Sequence, residues 1–555
     1  MPPGRQPCLE VALVGGEVEP RDADGGEAER ARLALEMRTP VCALAGNLIP
    51  HGAHAGRAYN AHMAIPAALY SVAQARRLDE RAIQSLGGAS YTLMRRAGEG
   101  ALRALRSRWP RAQRVCVATG GGNNGGDGFV LARFARAAGL EVEVCALVPV
   151  VQLRGDARRA ADEYVAGGGS VRPFEAAALR EAEVLVDALL GIGPSEPVRE
   201  PCRGAIEALN ASGRPILALD LPSGLHGDTG QVLGAAVRAE FTITFVVPKA
   251  GLYLGDGPEY AGRVEYDPLE VEVPAGELPA FECIGQQDIL RALPPRGRAA
   301  HKGDFGRVLL IGGGPGMPGA PRLAGEAALR CGAGLVTVAT EPGNVTAVIA
   351  GRPELMCIGV RTAPELAAAL AAASVVAVGP GLGVGEWSRS LCAAALASGK
   401  PLVLDADALN LLAGSSQRVP EGTILTPHPG EAGRLLGVPA ADIQANRPAA
   451  LARLVAQRGG IVVLKGAGTL VGAAGHIPAL CTGGNPGMAA PGMGDVLTGA
   501  VAGILAQCRD PWLAARAAVQ AHALAGDALA RGGTDRGLLA LELAEQLTQW
   551  VNHPS

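Results

Sequence analysis

Residues 114–138 read RVCVATGGGNNGGDGFVLARFARAA: an apolar β-rich run, a glycine-rich loop and a stretch with helical spacing, in that order. Val115–Ala118 predicts a buried strand and Phe129–Ala138 predicts a helix. Glycine at such a turn lets backbone N–H groups approach a phosphate at the positive end of the helix. The two adjacent amides and Asp127 exceed what a plain turn needs. The segment predicts a parallel α/β sheet with a ligand site after one strand.

The same alternation of strands and helices continues on both sides of this segment. A first series of strands is predicted at Val115–Ala118, Glu141–Leu147, Val184–Val186, Ile216–Leu219 and Phe241–Val247. A second series is predicted at Val308–Ile311, Gly334–Ala339, Val375–Val378, Leu402–Leu404, Thr423–Leu425 and Ile461–Leu464. This pattern predicts two parallel sheets, each covered by helices on both faces. The proline-rich stretch 273–298 separates them, so we expect domains at 67–285 and 286–555.

The segment before the first domain carries no motif with a chemical role. Residues 17–29 are acidic and glycine-rich, and we expect 1–66 to be a disordered extension or the product of a start codon upstream of Met63. Order is expected to begin at Ser71, where Ser71-Val72-Ala73-Gln74 has the form of a helix capping box.

Composition excludes several classes of protein. The 555 residues carry a net charge of −3, and the charges are interspersed, so no nucleic-acid footprint is present. The 11 cysteines form no C-x-x-C pair, which argues against a disulfide framework or a zinc site and favours the cytoplasm. No apolar run reaches the roughly 18 residues of a membrane helix, so neither nucleic acid nor membrane is an expected partner.

Two further carboxylates of the first domain stand at the ends of predicted strands. Asp187 lies in VDALLGIG (186–193) and Asp220 in DLPSG (220–224). Ligands of open parallel sheets bind outside the carboxyl ends of the strands, so both acids should meet the glycine-rich loop in one crevice.

The second domain contains an ordered series of loops after strands. They are HKGDFGR (301–307), GGGPGMPGA (312–320), GPGLG (379–383), DADALN (405–410), TPHPGE (426–431) and LKGAGT (464–469). The stretch PGMGDVLTG (491–499) follows GNPGM (484–488). A Gly-x-Gly-Asp turn at a helix start aims amides at a transferring phosphate while Asp495 takes the proton of an attacking hydroxyl.

The motifs of the first domain resemble the YjeF N-terminal family of NAD(P)HX epimerases over about residues 70–285. The resemblance implies a Rossmann-like doubly wound sheet and a substrate site built from Asn123, Asn124, Gly125, Gly126, Asp127, Gly191, Ile192, Gly193 and Asp220. It also implies a potassium ion held by Asn124, Asp187 and Ser223, whose oxygens suit a hard cation. Asp187 beside the ring is the expected general acid/base.

The motifs of the second domain resemble the YjeF C-terminal family, the ADP- or ATP-dependent NAD(P)HX dehydratases of ribokinase-like fold, over about residues 286–550. The resemblance implies that the hydrated dinucleotide contacts Ala320, Gly381 or Gly383, His428 and Asp495. It places the adenine nucleotide at Lys465, Gly466, Ala467, Gly468, Thr469 and Gly494. Mg²⁺ is the expected metal and ADP the expected phosphoryl donor, because prokaryotic members generally use ADP and the Ala- and Arg-rich sequence looks prokaryotic.

Together the two resemblances imply a bifunctional enzyme that repairs NADHX and NADPHX, and a homo-oligomer. Two other functions remain open. The second domain could phosphorylate a vitamin-precursor alcohol, although the HKGDFG and TPHPGE motifs favour the dehydratase. The first domain could be a binding scaffold. The presence of the residues expected in an epimerase site argues against this: Asn124, Asp187, Asp220 and Ser223.

Overall fold

The computed structural model describes residues 66–193, 196–533 and 535–553. The expectations for residues 1–65 lie outside this range.

The described residues form eighteen strands in two sheets. The strands are β1 (Ala68–Leu69), β2 (Arg114–Thr119), β3 (Glu141–Ala146), β4 (Val171–Pro173), β5 (Val184–Ala188), β6 (Ile216–Leu219), β7 (Phe241–Phe245), β8 (Arg263–Asp267), β9 (Phe281–Cys283), β10 (Arg307–Ile311), β11 (Leu335–Thr340), β12 (Met356–Gly359), β13 (Val375–Val378), β14 (Leu402–Leu404), β15 (Ile424–Leu425), β16 (Ile461–Leu464), β17 (Thr469–Ala473) and β18 (Ala479–Cys481).

Eighteen α-helices of the described residues connect and cover these strands. They are α1 (Val72–Ser85), α2 (Ser90–Arg108), α3 (Asn123–Ala137), α4 (Gly155–Ala166), α5 (Cys202–Ala211), α6 (Gly257–Ala261), α7 (Gln286–Ala292), α8 (Gly319–Arg330), α9 (Val345–Ile349), α10 (Ala367–Ala372), α11 (Glu386–Leu396), α12 (Ala406–Ala413), α13 (Pro429–Leu436), α14 (Ala440–Ala445), α15 (Arg447–Arg458), α16 (Met493–Cys508), α17 (Pro511–Leu529) and α18 (Ala540–Asn552). None of them has both the length and the apolar character of a membrane span.

The smaller sheet is a doubly wound parallel sheet of seven strands in the order β4-β3-β2-β5-β6-β7-β8. Successive residues of β2 point to opposite faces: Val115 and Val117 enter one buried cluster, and Cys116 and Ala118 enter another. The strand order reverses between β2 and β5, and this is where ligands bind in such sheets. The carboxyl ends of both strands lead to residues predicted to form the site.

The larger sheet has eleven strands in the order β1-β9-β18-β17-β16-β15-β14-β13-β10-β11-β12. The strands from β10 to β16 are mutually parallel, whereas β17 is antiparallel to β16 and β18. Along β10, Val308 and Leu310 face one apolar cluster while Leu309 and Ile311 face the other. Helices therefore cover both faces, and the α/β architecture expected from the sequence is confirmed.

Two strands that precede residue 286 belong to the larger sheet. β9 pairs in parallel with β18, and β1 pairs antiparallel with β9. Leu69 of β1 and Phe281 of β9 are buried in the same cluster as Leu309. The segment that was assigned to the first domain by sequence thus supplies one edge of the second sheet.

All predicted strands are present, and four of them have the predicted bounds. The capping box at Ser71 is also present, with Ser71 Oγ accepting from the amide of Gln74. The first helix turn after β2 differs from the prediction. α3 begins at Asn123 and not at Phe129, so the motif NNGGDG forms the first turns of the helix.

Candidate active sites

Glycines after β2 allow the chain to pass close to the neighbouring strand. A Cβ on Gly120 would lie 1.9 Å from the carbonyl oxygen of Leu189, and a Cβ on Gly125 would lie 2.2 Å from that of Gly120. Side chains at these positions would collide with backbone atoms, so only glycine fits. The close approach brings the start of α3 against the residues that follow β5.

A polar cluster forms where β2, β5 and β6 end. Ser223 donates from Oγ to Asp187 Oδ1 at 2.6 Å and from its amide to Asp187 Oδ2 at 2.8 Å. Asn124 donates from Nδ2 to the Leu190 carbonyl at 2.9 Å, and this carbonyl is 3.1 Å from Ser223 Oγ. Burial raises the pKa of Asp187 to about 6, although its bonds from Ser223 and Leu189 oppose the shift. The three residues predicted as cation ligands are therefore together.

One atom of this cluster lacks a partner. Asn124 Oδ1 is buried and has no hydrogen-bond donor. A buried amide oxygen without a partner costs free energy, and a cation would remove that cost. Carboxylate, amide, hydroxyl and carbonyl oxygens form the donor set that suits a hard cation such as K⁺.

Asp220 forms a buried ion pair that was not predicted. Its Oδ1 lies 2.5 Å from Lys249 Nζ, which also donates to the Phe245 carbonyl at 2.7 Å. Burial raises the pKa of Asp79 on α1 to about 6; Lys249 opposes the rise and Asp220 adds to it. Burial, with Asp220 and Asp79, also raises the pKa of Asp127 well above its usual range.

Sequence analysis missed Lys249 and Asp79 as members of the site. Lys249 follows the end of β7 as Asp220 follows β6, so the rule of strand ends could have found it. Asp79 lies in the middle of α1, and no pattern in the sequence marks it. Gly191, Ile192 and Gly193 follow β5 as predicted; Gly191 lies against Asn124 and Ile192 accepts a bond from Arg76.

In the second half, the loops after β10 and β13 are tied together. The amide of Gly314 donates to the Gly381 carbonyl at 2.7 Å, and a Cβ on Gly381 would lie 3.2 Å from Cβ of Ala320. The amide of Gly383 donates to Asp407 Oδ2 at 2.7 Å. Three residues predicted to contact the hydrated dinucleotide, Ala320, Gly381 and Gly383, therefore lie at one edge of the sheet.

His428 caps the start of α13. Its Nδ1 accepts from the amide of Gly430 at 3.0 Å, and its own amide donates to Glu431 Oε2 at 2.8 Å. Burial and the positive charges of Lys465 and Arg434 lower the pKa of His428. A neutral imidazole with Nδ1 engaged leaves Nε2 for other contacts, and Nε2 lies 3.4 Å from Glu431 Oε1.

The centre of this edge is Asp405, a fully buried carboxylate. Its Oδ1 accepts from Lys465 Nζ and from Thr426 Oγ1, both at 2.8 Å, and its Oδ2 accepts from Thr498 Oγ1 at 2.7 Å. Burial alone would raise the pKa of Asp405, but Lys465 and these bonds lower it overall. The carboxylate stays charged and joins the ends of β14, β15 and β16 to α16.

Asp495 stands in the first turn of α16, three residues before Thr498. Burial and the negative charge of Asp405 raise the pKa of Asp495 to about 7. A carboxylate with such a pKa is a stronger base than an exposed aspartate. Gly494 beside it lies against Lys465: a Cβ there would be 3.3 Å from Nζ.

The predicted nucleotide turn, Lys465–Thr469, connects β16 to β17. Arg447 is buried beneath this turn and donates to the carbonyls of Leu464, Lys465 and Gly468 at 3.1–3.2 Å. Burial lowers the pKa of Arg447 to about 10. Sequence analysis did not identify Arg447, since an arginine at the start of a helix carries no signal of its burial.

Two family models match the chain. Residues 308–549 match the model described as NAD(P)H-hydrate dehydratase. Residues 90–251 match the model described as the YjeF-related protein N-terminus.

Relatives match nearly the whole chain. A bifunctional NAD(P)H-hydrate repair enzyme of Coxiella burnetii is 47% identical over 487 residues, which are 87% of this chain and 99% of the relative. One of Escherichia coli is 40% identical over 491 residues, which are 88% of this chain and 95% of the relative.

Solved structures match one half of the chain. A ribokinase-like superfamily protein of Enterococcus faecalis is 32% identical and covers 50% of this chain and 98% of its own, with a TM-score of 0.46. An ADP/ATP-dependent NAD(P)H-hydrate dehydratase of Bacillus subtilis, co-crystallised with ATP and Mg²⁺, is 30% identical and covers 48% of this chain and 96% of its own, with a TM-score of 0.43.

Proposed function

The chain belongs to the family of bifunctional NAD(P)H-hydrate repair enzymes, and from this premise we propose how its two sites divide the work. Residues 67–285 form the epimerase domain, which interconverts the R and S forms of NADHX and NADPHX. Residues 286–555 form the dehydratase domain, which converts the S form to NADH or NADPH at the expense of ADP. The observation that carries the proposal is the presence, on one chain, of a separate polar site at the carboxyl ends of the parallel strands of each sheet.

In the epimerase site, the dinucleotide lies along the start of α3, with Asn123–Asp127, Gly191–Gly193 and Asp220 in contact. K⁺ is held by Asn124, Asp187 and Ser223, and the unpartnered Asn124 Oδ1 supports this assignment. When bound, the cation supplies a fixed positive charge for the phosphates or the ring hydroxyl.

The acid/base role of Asp187 stays a prediction. Both of its oxygens already accept hydrogen bonds from Ser223 and Leu189. That arrangement suits a carboxylate that holds a cation. Burial, with the negative charges of Asp220 and Asp79, raises the pKa of Asp127, which favours the protonated form from which a general acid donates.

In the dehydratase site, Asp495 accepts the proton of the C6 hydroxyl while the hydroxyl oxygen attacks the terminal phosphorus of ADP and AMP leaves. The amide of Gly494 and Lys465 stabilise the charge on the transferring group. The phosphate then leaves C6 and a proton leaves C5, which restores the ring double bond. His428, Ala320 and the Gly381–Gly383 loop hold the dinucleotide, and Lys465–Thr469 hold ADP.

Mg²⁺ would neutralise the nucleotide phosphates, with phosphate oxygens as its principal ligands. The positive charge that the site itself offers to the phosphates is small. Lys465 already pairs with Asp405, so much of the phosphate charge is left for a cation.

The test is the recovery of reduced nicotinamide absorbance when the protein meets a mixture of R and S NADHX with ADP. The wild-type protein should recover all of it, Asp495→Asn none, and Asn124→Ala should stop near the S fraction. Asp442→Asn, an exposed residue of α14, is the control for loss of a charge. Exchange of K⁺ for tetramethylammonium, with epimerisation followed without nucleotide, should slow the epimerase.

A phosphorylated vitamin-precursor alcohol as the stable product, with no recovery of absorbance, would replace the dehydratase by the kinase alternative. A first half that keeps ligand affinity but never epimerises would make it a scaffold.

A further inference from the structure

Asp405 occupies the junction of every segment that supplies a group for phosphoryl transfer. It follows β14, it binds Thr426 after β15 and Lys465 after β16, and it reaches Thr498 on α16. Its side chain is 2% exposed, so substrate has little access to it. The dehydratase mechanism assigns it no chemical step, although burying a carboxylate with three hydrogen-bond donors carries a large desolvation cost.

The first consequence of this junction is geometric. The Thr498 hydroxyl is one helical turn from Asp495, so its bond to Asp405 fixes the rotation and depth of the first turn of α16 relative to β14. Active-site groups lose much of their effect when they shift by about 1 Å. Asp405 thus holds the base at a constant distance from the nucleotide turn.

The second consequence concerns Lys465. Its Nζ lies beside Gly494 and is also 3.8 Å from Glu431 Oε2. The charges that face Asp495 come from four segments: Asp405, Asp407 on α12, Glu431 on α13 and Lys465. His522 of α17 contacts the Met493 carbonyl beside it, and burial lowers the pKa of His522 to about 4, so it is neutral. Lys465 is the positive group among these.

We propose that Asp405 is a positioning residue of the dehydratase site, which ties α16 to the strand ends through Thr498 and holds Lys465 on itself and away from Asp495. The inference rests on the proposed dehydratase activity. Without Asp405, the ammonium of Lys465 would turn to Asp495 and weaken it as a base. With Asp405, Lys465 stays beside Gly494 at the nucleotide turn, and Asp495 remains free to accept the hydroxyl proton.

The two charge changes caused by Asp405→Asn shift the pKa of Asp495 in the same direction. Asp405→Asn removes a negative neighbour and frees a positive one, and both changes stabilise ionised Asp495. The acidic limb of kcat for dehydration should therefore move to lower pH by on the order of one unit. It should be measured at saturating ADP and S-NADHX, so that the titration of free nucleotide does not enter. Asp405→Glu keeps the charge, and its limb should stay at the wild-type position.

Thr498→Val tests the geometric part by itself. It removes the hydroxyl that binds Asp405 and changes no charge, so kcat should fall roughly tenfold while the acidic limb stays in place. Asp442→Asn should alter neither quantity, because Asp442 is exposed on α14.

Three results would overturn the proposal: an acidic limb that does not move in Asp405→Asn, a limb that moves to higher pH, or a wild-type kcat in Thr498→Val. If Asp405→Asn does not fold, the kcat of Thr498→Val still tests whether the bond between Asp405 and Thr498 positions Asp495. Failure of the proposed function looks different, because the wild-type protein itself would then recover no reduced nicotinamide from S-NADHX.

Discussion

At the scale of single residues, each site is built around a buried lysine–aspartate pair: Lys249 with Asp220, and Lys465 with Asp405. Removal of one partner from such a pair typically costs about 3–5 kcal/mol, because an uncompensated charge is left buried. In both sites another carboxyl nearby has a raised pKa: Asp127 in the first and Asp495 in the second. Each site therefore combines a buried lysine–aspartate pair with a neighbouring carboxyl whose pKa is raised.

Arg447 offers a test of how the nucleotide turn is held. Arg447→Met leaves three turn carbonyls without their donor, so the KM for ADP should rise about tenfold, a change of roughly 1.4 kcal/mol, while the KM for S-NADHX stays constant. Arg447→Lys should have a smaller effect, since one ammonium reaches fewer carbonyls.

Steady-state kinetics with each substrate varied in turn measures the two KM values. Arg453→Met is the matched control, an exposed arginine on the same helix. A lower melting temperature for Arg447→Met with no change in the KM for ADP would assign Arg447 to stability alone.

At the scale of helices and strands, close packing explains where glycine occurs. The pattern NNGGDG has low helix propensity, so the sequence favoured a loop. The structure forms a helix there because its glycines face neighbours: a Cβ on Gly126 would be 2.5 Å from Met94 Cε, and one on Gly128 would be 2.6 Å from Ala188 Cβ. Packing against α2 and β5 outweighs propensity.

The contact between α16 and α8 gives a prediction at this scale. A Cβ on Gly499 would lie 1.9 Å from the Ala324 carbonyl oxygen, so Gly499→Ala must separate the two helices and should lower the free energy of unfolding by about 3 kcal/mol. Because α16 begins at the catalytic turn, kcat for dehydration should fall as well.

Urea denaturation and the dehydratase assay together measure these effects. Gly297→Ala, at a glycine with open space and without a positive φ, should leave both quantities within experimental error. Equal denaturation midpoints for Gly499→Ala and wild type would contradict the close-contact argument.

At the scale of the whole molecule, the two halves share structure that the sequence boundaries divide. β1 and β9 extend the larger sheet, and Tyr70 pairs with Lys249 of the first site as a bridge. Arg516 of α17 forms ion pairs with Glu282 of β9 at 2.6 Å and with Asp288 of α7 at 2.8 Å. The stability of the larger sheet therefore depends on residues that precede residue 286.

Phe281 provides the test of this dependence. It is 5% exposed in the cluster that includes Leu309 and Val376, so Phe281→Ala should cost about 3–5 kcal/mol and shorten the half-life of dehydratase activity on heating. Leu278→Ala, three residues earlier and 65% exposed, should have little effect. Equal half-lives for the two variants would show that β9 does not stabilise the larger sheet.

The sequence by itself determined the fold class, most strand positions and the residues of both glycine-rich motifs. It could do so because apolar runs and glycine turns are local signals, and because a parallel sheet brings all its strand ends to one edge. Thus the glycine-rich loop, Asp187 and Asp220 could be placed in one crevice, whereas the grouping of Asn124, Asp187 and Ser223 came from the resemblance to the YjeF N-terminal family.

Only the tertiary structure decided the partners of buried charges and the membership of short edge strands. Lys249, Asp405 and Arg447 acquire their roles from residues 17 to 93 positions away, and no local pattern encodes such distances. β1 and β9 contain two and three residues, too few for a periodicity to appear, and their pairing is fixed by burial of Leu69 and Phe281 against the larger sheet. Desolvation and long-range packing supply this information, and both exist only in the folded chain.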